Sequence, residues 1–116
     1  MSQDGTIFDK IIAKEIPANI VYEDEAILAF KDINPAAPEH TLVIPKKRIK
    51  GVANLEDMSD AEAGYYFKTI ARVAKKLGLE EEGYRVVLNQ GRDGGQTVFH
   101  IHAHILGKRQ MKWPPG

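Results

Sequence analysis

The chain has 116 residues, enough for a single domain that buries about two-thirds of its unfolded surface. Its 16 basic and 16 acidic residues cancel, which argues against a nucleic-acid or anionic-membrane binder recruited by bulk charge. There is no cysteine, so disulfides and thiolate metal sites are excluded, and no run is apolar enough to span a bilayer.

An N-terminal signal-peptide core is also missing, which makes a cytoplasmic protein the expectation, with the nucleus open as well. Residues 1–5 read as a flexible arm. Thr6 caps a short helix in which Ile7, Phe8, Ile11 and Ile12 follow helical spacing, and Pro17 stops it. Ile20–Tyr22 and Ala26–Phe30 read as strands around the acidic turn Glu23-Asp24-Glu25. A loop with two prolines, Asp32–Pro38, leads to a third strand, Thr41–Ile44, closed by Pro45. Lys46, Lys47, Arg48 and Lys50 form a basic cluster, read as a solvated loop rather than a nuclear signal.

The strongest helix signal follows. Ser59 and Glu62 make a capping box, and Ala63, Tyr66, Phe67, Ile70, Val73, Ala74 and Leu77 form one apolar stripe. Gly78 supplies the stop. Tyr84–Asn89 and Val98–Leu106 complete the strands, so the class is α+β, one long helix and one short helix on an antiparallel sheet.

The last strand carries the chemistry. His100, His102 and His104 alternate, so their imidazoles share one face, with about 6.6 Å between neighbours, while Ile101, Ala103 and Ile105 face a core. Gly91, Gly94 and Gly95 precede this strand. Glycine-rich turns can aim successive N–H groups at an anion, so the loop reads as a phosphate nest beside the imidazoles, although alone it would read as a simple turn. Three chemistries fit the face. One is a histidine nucleophile attacking phosphorus, which is favoured. Another is a zinc site with His40 as third ligand. The last is a polar sheet face with a structural role only.

His100-Ile101-His102-Ala103-His104-Ile105-Leu106 resembles the signature of the histidine-triad (HIT) superfamily, with alternating histidines separated by apolar residues. Thr6-Ile7-Phe8, Glu15-Ile16-Pro17, Ala29–Ile33, Ala37–His40, Leu42–Lys46 and Asp93–Gln96 resemble its nucleotide-binding Hint branch. The tail Arg109–Gly116, with Trp113 and Pro114-Pro115, does so too. His104 distinguishes the chain from the uridylyltransferase branch, which carries glutamine there.

The resemblance implies a single HIT domain over residues 1–116, with a five-stranded antiparallel sheet continued across a homodimer and a tail, residues 107–116, near the active site. It implies a purine nucleoside phosphoramidase that cleaves the P–N bond of nucleoside 5′-monophosphate–amine conjugates through a nucleotidylated histidine. The alternative is a nucleotide-binding regulatory or scaffold protein with vestigial hydrolysis. His102 takes the nucleophile's role, His104 contacts the phosphate, and His100 and His40 support them. Asn89, Gly95, Gln96 and Thr97 hold the phosphate or assist the leaving group. Asp32 grips the ribose with Ile33 against the nucleoside, and Ile7, Phe8, Ile11 and Phe30 wall the base pocket. No cofactor, metal, nucleic acid or membrane is implied. Without the resemblance, Asp32 reads as an Asx-turn residue, and Ile7, Phe8 and Phe30 as core. Thr97 stands where many relatives carry serine, and Ala103 is smaller than the usual residue, which is expected to loosen packing behind the strand.

Overall fold

The computed structural model describes residues 5–116, so the expected N-terminal arm lies outside it except for Gly5. The elements in chain order are α1 (Ile7–Ile12), β1 (Ile20–Glu23), β2 (Ile27–Lys31), β3 (Glu39–Pro45), a short 3-10 segment (Val52–Asp57), α2 (Asp60–Lys76), β4 (Tyr84–Leu88) and β5 (Ala103–Gly107). The five strands form one antiparallel sheet in the order β1-β2-β3-β5-β4. This is the α+β architecture expected.

Both helices start where local chemistry says they should. The Thr6 hydroxyl accepts the Phe8 N–H at 3.1 Å, and the Asp9 carboxylate reaches back to the Thr6 N–H at 2.7 Å. Ser59 and Glu62 do the same for α2. Gly78, at φ +78°, lets the chain leave α2. Pro17 does not end α1. The helix closes earlier, where Lys14 adopts φ +63° and the Glu15 N–H returns to the Lys10 carbonyl at 2.8 Å.

The helices cover opposite faces of the sheet, so β3 is buried at every residue. On one face Ile27, Ala29, Val43, Ala103 and Ile105, with Ile101 just before β5, pack against Tyr66, Ile70, Val73 and Ala74 of α2. On the other, Leu28, Phe30, Leu42 and Ile44 pack against Phe8 and Ile11 of α1. The Tyr66 hydroxyl is fully buried and donates to the Val43 carbonyl at 2.8 Å, so its polar end costs little. Ala103 is fully buried within the α2-side core. Phe67 departs from the predicted stripe. It is 43% exposed and meets the Tyr66 ring edge-to-face instead of joining the core.

The last strand is shorter than its alternation predicted. Ladder pairing begins only at Ala103, opposite Val43 on β3 and Leu88 on β4. Upstream, β3 has reached Pro45, which has no N–H to offer, and the Ile101 N–H bonds the Ile49 carbonyl instead, at 2.6 Å. Residues 98–102 therefore lie outside the ladder, with bends at 98–100, and keep the alternation without the pairing.

Candidate active site

A cavity of about 250 Å³ opens on the α1 side of the sheet. His102 and His104 line it, with Ile7, Phe8 and Ile11 from α1 and Phe30 from β2. Asp32, Ile33 and Thr97 complete the set of sequence-predicted residues brought together there. Val98 and Leu42 also line it and were missed. Both could have been found, since Val98 shares the histidines' alternation and Leu42 pairs with His104 across the ladder. Ile16, Pro17, Ala18 and Lys31 add the remaining wall and carry no comparable sequence signal.

The hydrogen-bond partners assign each imidazole its tautomer. His102 Nδ1 lies 2.8 Å from the His100 carbonyl oxygen. A carbonyl only accepts, so Nδ1 carries the proton and the neutral ring has its lone pair on Nε2. Phe8 stands edge-on to this ring, with centroids 5.1 Å apart. Two residues on, the chain holds His104 through a relay. The Ala36 N–H donates to His40 Nδ1 at 2.9 Å, which forces the His40 proton onto Nε2. That N–H then donates to His104 Nδ1 at 2.9 Å, leaving His104 with a proton on Nε2 to offer. The two cavity rings are 5.0 Å apart. One is fixed as an electron-pair donor, the other as a hydrogen-bond donor.

Burial favours the neutral form of His104, His40 and His100. It lowers the His104 pKa to about 4, with the neighbouring His102 and His40 adding to the shift. His40 and His100 are likewise held below the ordinary histidine value, chiefly by burial.

His100 and His40 stand behind the cavity and do not line it. His100 is fully buried, donates from Nε2 to the Pro45 carbonyl at 2.7 Å, and lends its own carbonyl to His102. Asp32 forms the Asx turn that the sequence allowed, and it faces the cavity as well. Its Oδ1 accepts the Asn34 N–H at 2.7 Å. The tail reaches the site only indirectly. None of residues 107–116 lines the cavity, but Arg109 donates to the carbonyl of Ala36, the residue that orients His40. Trp113 is 80% exposed and lies near Arg85.

The glycine loop corrects the expected phosphate nest. Two of its three glycine N–H groups, those of Gly91 and Gly95, find acceptors within the loop itself. The Gly91 N–H bonds the Gln96 side chain at 2.8 Å, the Gly95 N–H bonds the Arg92 carbonyl, and the Gln96 N–H bonds the Gly91 carbonyl at 2.9 Å. Gly91 and Gly95 have φ of +69° and +78°, and a Cβ on Gly94 would lie 2.4 Å from the Gln90 carbonyl oxygen. The glycines are there for turns and close approach. Asn89, Gly95 and Gln96 consequently lie outside the cavity lining. Asn89 ties the loop through the Gly94 carbonyl at 2.7 Å. Gln96 is buried, and its amide pins the loop to the Lys50 carbonyl at 2.8 Å.

Asp32, His40 and His104 bring ligand atoms within 4.8 Å of one another, the one such group among the described residues. The arrangement does not fit a zinc ion. A metal-bound imidazole donates its second N–H to an acceptor. The second nitrogen of His40 instead receives an N–H from Ala36, so metal on Nε2 would leave the neutral ring no nitrogen for its own proton.

This architecture and histidine-lined cavity define a small α+β class, and comparison with known proteins gives it a family. The HIT domain family model matches residues 13–111. The chain is 57% identical to the 14 kDa zinc-binding protein of Zea mays, over 100% of this chain and 91% of that protein. It is 50% identical to adenylylsulfatase HINT1 of Arabidopsis thaliana, over 99% and 79%. Among solved structures, a HIT family hydrolase from Legionella pneumophila Philadelphia 1 superposes with a TM-score of 0.91 at 47% identity, covering 97% of this chain and 100% of that one. A histidine triad nucleotide-binding protein from Candida albicans gives 0.80 at 31% identity, over 95% and 83%. The chain belongs to the HIT domain family.

Proposed function

We propose that this protein is a purine nucleoside phosphoramidase that works as a homodimer. The observation that carries the reading is the fixed tautomer of His102, which directs an Nε2 lone pair to a cavity whose other imidazole presents an N–H. The resemblance to a relative named adenylylsulfatase HINT1 and to HIT family hydrolases supports hydrolysis.

The reaction divides into two balanced steps. His102 Nε2 attacks phosphorus, the P–N bond breaks, and the departing nitrogen takes a proton to leave as the amine. Thr97, the one hydroxyl residue lining the cavity, is the donor, and solvent restores its proton. The nucleotidylated ring is positive, and the His100 carbonyl on Nδ1–H stabilises it. Water then attacks phosphorus and the P–Nε2 bond breaks. The nucleoside monophosphate leaves with one proton released to solvent. His104 Nε2–H donates to the phosphoryl oxygens as charge builds on them. Asp32 and Ile33 hold the ribose, and the apolar wall of Ile7, Phe8, Ile11 and Phe30 takes the base.

Dimerisation is supported by the sheet edge. Among the described residues β4 has no outer strand, and Tyr84 and Val86 on its α2 side are partly exposed.

An AMP–ethylamine phosphoramidate tests the reading. The wild type should release AMP, and His102→Ala should slow turnover by about 10³-fold or more while still binding AMP in calorimetry. Retained turnover in His102→Ala overturns the assignment. Turnover lost on exhaustive chelation would favour a zinc hydrolase instead.

A further inference from the structure

A second and larger cleft, about 580 Å³, adjoins the nucleotide cavity and shares Ile7, Thr97 and Val98 with it. We infer that this cleft is a leaving-group subsite selecting amines that carry a carboxylate. The inference rests on the hydrolase reading and adds the substrate class to it.

Position comes first. The proton for the departing nitrogen comes from Thr97, so that nitrogen sits at the boundary between the two spaces. The nucleoside occupies the smaller, apolar cavity. The organic part of the amine has the larger cleft open to it.

Charge comes next. Arg48 and Lys50 line this cleft, and among the described residues no acidic one does. The basic cluster read from sequence as a solvated loop is divided among separate tasks. Lys46 pairs with Glu23 at 2.8 Å, Lys47 with Glu62 at 3.2 Å and Arg48 with Asp9 at 2.8 Å. Lys50 alone among these four has no carboxylate within ion-pair distance among the described residues. Its ammonium lies 5.9 Å from the Phe99 ring centroid, at the wall of the cleft. Phe99 is itself 46% exposed, while Ile101, two residues on, is buried. An unneutralised cation on an aromatic wall, beside Ile7 and Val98, suits a short carbon skeleton ending in an anion. Backbone effects do not confuse the role of Lys50, because Gln96 uses its carbonyl and not its side chain.

The test uses AMP joined through nitrogen to glycine or to β-alanine, each compared with its neutral carboxamide. The wild type should prefer the carboxylate by about tenfold in kcat/KM at one or both lengths, and the preference should shrink at high salt. Lys50→Met should bring the ratio to about one without slowing the carboxamides, and Lys50→Arg should keep it. A wild-type ratio near one at both lengths, or a ratio that Lys50→Met leaves intact, overturns the inference. If neither conjugate is cleaved, the hydrolase reading fails. Calorimetric affinities for the same pairs then decide the cleft on their own: equal affinities refute it, and a carboxylate preference lost in Lys50→Met sustains it.

Discussion

On the α2 side of residues 100–105 the chain presents Ile101, Ala103 and Ile105, sealed in an apolar core. On the α1 side the alternate residues His100, His102 and His104 meet backbone carbonyls, another imidazole and a cavity. One stretch thus anchors the fold with one set of side chains and aims the chemistry with the other. The lesson is that rigidity on one face allows polarity on the other. Imidazoles that must keep one tautomer and one orientation sit on a segment whose opposite side cannot move.

The comparison breaks most visibly if the apolar side is cut. Ile105→Ala should destabilise the fold by about 2–5 kcal/mol in urea unfolding, through lost burial and the cavity left behind. Below the new transition, kcat/KM should hold within a few-fold. A large activity loss in a fully folded variant would mean the faces are not separable.

Acid probes the polar side. His40, His100 and His104 have folded pKa values below the unfolded value of about 6.5, with His104 at about 4. The unfolded chain therefore binds more protons as pH falls from about 6.5 towards 4, and stability should drop across that window. His104→Gln should flatten part of the drop. Unfolding midpoints that stay level in the wild type between those pH values would contradict neutral, buried rings.

A smaller effect sharpens the contrast. Tyr66→Phe removes the hydroxyl that reaches the Val43 carbonyl and should cost about 1–2 kcal/mol, with turnover unchanged. A change in turnover would show that α2 reaches the site through β3.

Much of this was legible in the sequence because it is local. The cap at Thr6, the capping box Ser59–Glu62, the stop at Gly78 and the alternation of histidines with apolar residues each depend on neighbours a few positions away. What was not legible depends on distant partners. The ladder stops at Ala103 because β3 ends at Pro45 and Ile101 turns to Ile49, which lies 52 positions back. Gln96 became a strut because Lys50 lies across from it, and that contact removed it from the cavity. The glycine loop looked like an anion nest because composition shows that N–H groups can converge, not that their acceptors lie within the loop. The tautomer of His104 is set by Ala36, a residue with no side-chain chemistry to draw attention.

The most direct measurement is rapid-quench single turnover with an AMP phosphoramidate labelled in the nucleotide, followed by mass mapping of the protein. A transient adenylyl adduct should appear on His102 and decay as AMP is released. Turnover with no adduct, or with the adduct on another residue, would contradict the assignment of the lone pair on that ring as the attacking group.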